Sequence, residues 1–454
     1  MATNYIHPHV AISKFAKTKT RVNVVDDTAP TLLAFITCNK GPENEFVKCY
    51  SYEEFTNTYG NTVFEKSGDN PEFLNIANWL NNGGAVLAYR MVGSDEKAAS
   101  ANLINGENTK SIFLAKYSGS YYNDFEVKIS HNFVGKYLYI TVINKLKEEV
   151  EGFAVTSANK DTIFLSSEYI TLGTDGAAFI DTLLNSFKDK TDGFITLSTT
   201  EEFKNNISEY PVKSGDMVYY KSSQYYLMTL KGGKDQNTTD VYTLDGNKIT
   251  YTEALLLAAI GDVGDDKALS VNYYDAESNK KTMAVKKGDG AFVLDANFDS
   301  IRMVKANLKK KLEYPVDVFF DGVYNIWVKK AIMANLATIR TDCHFFFNVY
   351  SGDLKASEMQ LTSDGINAAN TIFNVGSEEG DALYRNVSVY AQAMPITNAF
   401  TGKEQWVGPT YFLSFMAMDI DNRYGIQYPI AGLTRGTLQG VTKINDTPNA
   451  DMKD

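Results

Sequence analysis

Long apolar runs are missing from this chain of 454 residues. The longest uninterrupted one, Ala254 to Ile260, has seven residues, against the roughly 18 that a membrane-spanning helix requires. The first 25 residues carry Lys14, Lys17, Lys19 and Arg21 but no apolar stretch of the signal-peptide kind, so no membrane insertion is expected. Cysteine is scarce. Cys38, Cys49 and Cys343 are odd in number and widely spaced, which fits neither a disulfide framework nor a zinc site and points to a reducing compartment. Only four histidines occur, His7, His9, His131 and His344, which lowers the expectation of acid–base or metal chemistry and leaves carboxylate and lysine catalysis open. Positive charge is in deficit, with 44 Lys and Arg against 55 Asp and Glu and a net charge of −11. That balance argues against nucleic-acid binding, which draws on a basic surface to displace counterions.

Motifs of enzymes are also lacking. The sequence contains no phosphate-binding loop, and Lys231-Gly232-Gly233-Lys234 has the wrong spacing to cradle phosphates. Dinucleotide-binding glycine motifs, His-Glu-x-x-His and Gly-x-Ser-x-Gly are all missing. His7 and His9 would share one face of a strand, yet no third metal ligand lies nearby. Asp262, Asp265 and Asp266 crowd one turn without the calcium-loop spacing, and read as a solvated acidic turn. Asp419 and Asp421 are paired carboxylates at strand spacing; a structural role near Arg423 is favoured over acid–base work. Four Asn-x-Ser/Thr sites occur in an Asn- and Thr-rich chain that shows no signal peptide, so glycosylation is not inferred. No catalytic residue, metal site or cofactor is expected.

What is present is aromatic surface and regular patterning. The 28 Tyr and 26 Phe suit pleated, half-buried surfaces and protein–protein contacts. The length suggests two or three domains. Residues 1–30 read as an extended arm and linker: Ile6, Val10 and Ile12 alternate with polar residues, while Pro8 would confine such a strand to an edge. A β-α-α-β segment follows. Thr31–Thr37 is a strand; Ser51-x-x-Glu54 is a capping box for a helix ending at Gly60; Asn70-Pro71 opens a second helix, ended by Gly83-Gly84; Ala85–Val92 is a strand.

Between residues 95 and 311 the pattern changes to short alternating strands, at Ile112–Lys116, Phe125–Ser130, Tyr137–Asn144 and Ile163–Leu165. Helices are expected at Ala178–Phe187 and after the Thr250-x-x-Glu253 capping box. From about 315 strands and helices alternate again, with strands at Val316–Phe320, His344–Tyr350 and Val387–Met394. The helices there are expected at Tyr324–Arg340 and Gly365–Phe373, and the alternation implies a largely parallel sheet. The expected fold is multidomain α+β. Residues 31–94 and 312–454 make one α/β core from both ends of the chain. Residues 95–200 form a β-rich insertion, and 201–311 a second α+β insertion or a continuation of the first.

The order of short segments resembles the tail sheath proteins of contractile bacteriophage tails and related injection machines. The segments are Pro8 with Val10; Ala34-Phe35; Gly41-Pro42; Ser51 to Phe55 and on to Gly60; and Trp79 to Gly84 with Tyr89-Arg90. They continue with Ala115 to Asn123, in which Tyr121-Tyr122 stands where the family has Trp-Gly, and with Leu230 to Asp235, followed by Gln236 instead of Gly. Asp421-Asn422-Arg423-Tyr424-Gly425 and Pro429-Ile430-Ala431-Gly432 complete the series.

The resemblance implies a non-enzymatic virion protein of the phage tail, made in the host cytoplasm. Its subunits would assemble with one another in a helical sheath around the inner tail tube, and would also meet baseplate and tail terminator proteins. Contraction would drive the tube through the host envelope. The inter-subunit arm would be Ile6, Pro8, Val10 and Ile12. The core positions carrying the motif would be Gly41, Pro42, Phe55, Gly60, Gly83, Gly84, Arg90, Asp421, Arg423, Gly425 and Pro429. The insertion would decorate the outside of the sheath. The usual C-terminal portion of the family is not matched, so this chain alone is expected to be a monomer. Two other readings stand beside it: a different virion structural protein, such as a baseplate or capsid-decoration component, and an α/β enzyme acting through Asp419 and Asp421.

Overall fold

A computed structural model describes residues 29–60, 72–93, 96–105, 108–132, 135–187, 217–220, 225–235, 241–243, 248–260, 262–263, 269–274, 280–287, 304–349, 385–390, 393–424, 436, 438 and 440–442. The arm at 1–28, with Ile6, Pro8, Val10 and Ile12, lies outside them, as do Gly425, Pro429, the Gly365–Phe373 segment and the His7/His9 pair. The fold is mixed α+β. Its described residues divide into two compact units, one within 95–236 and one made from 26–94 and 237–454.

The chain enters the second of these units through strand β1 (Thr31–Ile36), which is buried on both faces, as the apolar run TLLAFI requires. An edge strand that the sequence pattern concealed, β2 (Phe46–Cys49), comes next. Helix α1 (Tyr52–Tyr59) starts on Ser51, whose hydroxyl accepts the Glu54 amide at 3.1 Å. The Glu54 carboxylate reaches back one residue further than the usual capping box, to the Tyr50 amide at 3.1 Å. Helix α2 (Phe73–Asn81) and strand β3 (Ala85–Arg90) complete the segment.

In the unit within 95–236 the chain folds as antiparallel strands. A three-stranded sheet joins β4 (Ala98–Asn105), β5 (Asn108–Ser118) and β9 (Ile170–Leu172). A five-stranded sheet has the order β10-β11-β6-β7-β8, from β6 (Glu126–Asn132), β7 (Tyr137–Ile143), β8 (Glu149–Val155), β10 (Met217–Tyr220) and β11 (Tyr225–Thr229). Val127, Ile129, Leu138, Ile140 and Val142 alternate inward, and helix α3 (Gly176–Phe187) adds Ile180 and Leu183 to the same core. The strand expected at Ile163–Leu165 is instead a short 3₁₀ turn, Ile163–Ser166. Leu165 is 75% exposed, so three apolar residues in a row did not mark a buried strand.

Back in the unit made from both chain ends, β12 (Val241–Thr243), β13 (Lys248–Ile249), β14 (Asp262–Val263), β15 (Leu269–Tyr274) and β16 (Lys280–Lys287) form a small antiparallel sheet. The described residues of the stretch 201–311 are therefore shared: those within 217–235 belong with the first unit and those within 241–308 with the second. The reason lies in helix α4 (Tyr251–Ile260), all of whose residues are buried. It joins one apolar cluster with Leu33, Phe35, Phe319 and Phe345, and a helix apolar all round belongs inside a core.

The main sheet is then closed by β17 (Val318–Phe320), β18 (His344–Asn348) and β19 (Val387–Tyr390), giving the order β19-β18-β17-β1-β3-β2. All its pairings are parallel except that of β2 with β3. Between β17 and β18, helix α5 (Ile326–Ile332) continues into a π-helical turn over Met333–Ala337, so the single helix expected to Arg340 ends early. Strands β20 (Met394–Thr397) and β21 (Glu404–Val407) form a hairpin, and helix α6 (Pro409–Tyr424) ends the described core. Phe412, Leu413 and Met416 of α6 share a cluster with Ile76 and Trp79 of α2.

Candidate functional site

In open parallel sheets, ligands bind beyond the carboxyl ends of the strands, where the strand order reverses. Here that point lies between β1 and β17: the chain builds the sheet toward β3 first and toward β18 later. The place is occupied by the protein's own side chains. Asp321 follows β17 and pairs with Lys329 of α5 at 2.8 Å, both side chains fully buried. The Asp321 carboxylate also accepts the Tyr324 amide at 3.0 Å and the Asn348 amide at 2.9 Å. Asn348 donates through Nδ2 to Thr410 Oγ1 at 2.8 Å and to the Asp321 carbonyl at 3.0 Å. Glu72, at the start of α2, turns inward. Its Oε1 meets the Tyr324 hydroxyl at 2.5 Å and its Oε2 accepts the Phe35 amide of β1 at 3.2 Å. Glu253 completes its capping box with Thr250 at 2.8 Å and accepts the Asn325 amide on its other oxygen.

Burial sets the charge states. It pushes the Glu72 carboxyl up to about 8, although the Tyr324 hydroxyl and the Phe35 amide both favour the ion. A helix start favours an anion by about 0.3–1 kcal/mol, whereas desolvating one costs several, so burial wins. Burial likewise raises Glu253 and Tyr324 and lowers Lys329, the last opposed by Asp321. Every group in this network bonds another group of the protein. Among the described residues no cluster of His, Cys, Asp or Glu is placed to hold a metal ion, and no helix is long and apolar enough to cross a membrane.

Glu72, Asp321, Tyr324, Lys329 and Asn348 belong to none of the motifs read from the sequence. A signal existed: Asp321 directly follows the apolar Val318-Phe319-Phe320, and Lys329 interrupts an apolar helix whose Val328 and Ile332 are buried. An ionisable residue at such a place must be paired inside.

The positions that the sequence does single out converge in two places. Arg90, fully buried at the end of β3, donates through Nε to the Cys38 carbonyl at 3.0 Å and through a terminal nitrogen to the Gly41 carbonyl at 2.8 Å. It thereby holds the Gly41-Pro42 turn. Gly41 has φ +96°, and a Cβ there would lie 2.5 Å from the Thr58 carbonyl oxygen, so this turn and the end of α1 require glycine. Phe55 and Tyr59 pack beneath, and the Gly60 amide closes α1 on the Thr56 carbonyl at 2.8 Å.

The second place joins the two ends of the chain. Gly83 ends α2 at φ +91°. Gly84 lies under Trp79, where a Cβ would come within 2.3 Å of the indole nitrogen. That indole donates to the Ala85 carbonyl at 2.9 Å. Asn422 of α6 donates to the Asn82 carbonyl at 2.7 Å, and Asn78 donates to the Tyr411 carbonyl at 3.1 Å. The neighbouring Asp419 pairs with Arg423 at 2.8 Å, one helical turn apart. The strand spacing expected for Asp419 and Asp421 is corrected by this helix, in which residues two apart do not face each other. The other unit has a similar convergence: Ser120 donates to Asp235 from both amide and hydroxyl at 2.7 Å. Asn123 and Gly233 exchange two bonds, at 2.8 and 2.9 Å.

No family model and no curated protein sequence matches the chain. Among solved structures the chain is similar to a sheath tail protein from Listeria innocua, with 12% identity and a TM-score of 0.42, over 86% of this chain and 56% of that one. It is also similar to a sheath tail protein from Desulfitobacterium hafniense, with 9% identity and a TM-score of 0.33, over 86% of this chain and 58% of that one. The chain thus spans less than two thirds of the length of either.

Proposed function

We propose that this chain is a structural subunit of a contractile tail sheath. The observation that carries the reading is the meeting of the resembling segments from opposite ends of the chain. Asn422, in the Asp421–Gly425 segment, is bonded to the Trp79–Gly84 turn, and Arg90 holds Gly41-Pro42. Motifs that were only an order of residues in the sequence thus occupy neighbouring places in one core. The polar network at the carboxyl ends of β1 and β17 also supports a non-catalytic reading, because its groups are spent on one another.

In this reading the subunits pack in a helical lattice around an inner tube, between baseplate and terminator proteins. Contraction is a change between two lattices, each subunit contributing only a few kcal/mol, the usual scale of bistable interfaces. Residues 1–25 act as an arm that adds a strand to a neighbour's sheet, with Ile6, Val10 and Ile12 facing it, since main-chain hydrogen bonds let contacts persist while subunits turn.

Immunogold electron microscopy of virions that contain the chain tests this. Label along the tail shaft, in extended and in contracted particles, is the expected result. Label confined to the capsid or the baseplate would replace the reading with the other virion roles. Deletion of residues 1–25 should abolish incorporation into particles and leave the melting transition of the purified chain in place. A lost transition would remove the arm from this role.

A further inference from the structure

We infer that the folded core takes up a proton at Glu72 and holds this buried carboxyl as the neutral acid at the start of α2. The inference rests on the core's geometry and is independent of the assembly reading.

The groups that face Glu72 are few. From the β17–α5 loop comes the Tyr324 hydroxyl at 2.5 Å, and from β1 the Phe35 amide at 3.2 Å. From the end of β17 comes the Asp321 carboxylate, of the same sign, already matched by Lys329 of α5 at 2.8 Å. Glu253 of α4, also of the same sign, acts on Tyr324 and Lys329 from behind. Glu72 itself is 3% exposed, and among the described residues no cation contacts it. An ionised Glu72 would place an unmatched negative charge beside Asp321 where water does not reach, a costly arrangement. A neutral Glu72 removes that repulsion.

The carboxyl titrates near 4.5 in an unfolded chain and is pushed up to about 8 by burial in the fold. Folding therefore binds a proton between these values. The stabilisation from the neutral form is complete below about 4.5, declines as pH rises through the window, and is gone above about 8. Alkaline conditions therefore destabilise the fold through the cost of a buried, ionised Glu72.

The test uses the full chain. Thermal unfolding is followed from about pH 5 to about pH 9 for the wild type, for Glu72→Gln, and for Glu404→Gln, whose carboxyl is exposed. The wild type and Glu404→Gln should lose melting temperature as pH rises. Glu72→Gln should show a flatter profile, corresponding to about one fewer proton released on unfolding. A Glu72→Gln profile parallel to the wild type overturns the inference. Should that variant fail to fold, the infrared spectrum of the wild type decides. A carboxylic-acid carbonyl band near neutral pH, lost at alkaline pH, is expected, and its absence near neutral pH overturns the proposal.

Discussion

The unit within 95–236 and the unit made from 26–94 and 237–454 bury their interiors in different ways. The first is built from antiparallel strands, most of them joined to near neighbours in sequence, with Val127 opposite Val142 and Ile129 opposite Ile140 on the inner face. Its ion pairs, such as Lys147–Glu126 and Lys160–Asp181, keep at least one partner in contact with water. The second joins strands from opposite ends of the chain in parallel, Leu32 beside both Val86 and Val318. It also carries a buried ion pair and a buried carboxyl. Local pairing and an apolar interior need little polar accounting. Parallel pairing across long loops leaves strand ends, helix starts and loop amides to be satisfied inside, and here Glu72, Asp321 and Asn348 do it.

Four substitutions sharpen or break this contrast. Lys329→Met leaves Asp321 buried without its counter-ion and should cost about 3–5 kcal/mol. Denaturant unfolding should show that loss, with amide protection falling in 318–348 and kept in 126–155. A cost under about 1 kcal/mol would mean the pair is dispensable. Ile140→Ala, which removes a fully buried side chain, should cost about 2–5 kcal/mol. Its proteolytic sensitivity should appear in 126–155 and not in 31–90; the reverse pattern would break the comparison. Ser51→Ala removes the cap of α1 and should cost about 0.5–2 kcal/mol, read as a small shift of the unfolding midpoint. Smallest is Glu126→Gln, which breaks the pair with Lys147, 65% exposed. About 0.2–1 kcal/mol is expected, and it should vanish at high salt.

The legible parts of the fold were those where one chain segment decides its own structure. The Ser51 and Thr250 caps, the α2 stop at Gly83, the apolar β1 and β3 and the inward alternation of β7 could all be read from local residue types. What could not be read depends on distant partners. β2 is a strand because β3 offers it an edge, with Val47 opposite Ala88, and Ile163–Ser166 is a turn although its residues are apolar. Asp419 sits opposite Arg423 because α6 runs through them, whereas a two-residue spacing fits strand or helix alike. The polar network was hidden for the same reason. Glu72 and Tyr324 look like ordinary surface residues until the sheet brings together strands from the two ends of the chain, and only the place of Lys329 within an apolar helix hinted at a buried partner. Of the positions taken from the sequence, Arg90, Gly41, Gly84 and Asn422 lie where a structural role is visible.

The central structural claim, that segments from both ends of the chain make one cooperative core, is tested most directly by hydrogen exchange of the full chain in increasing denaturant. Peptides covering 31–36, 85–90, 318–320 and 344–348 should lose protection together, with one free energy and one denaturant dependence. Peptides from 126–155 should follow a separate curve. Residues 31–90 opening by themselves, while 318–348 stays protected, would contradict it.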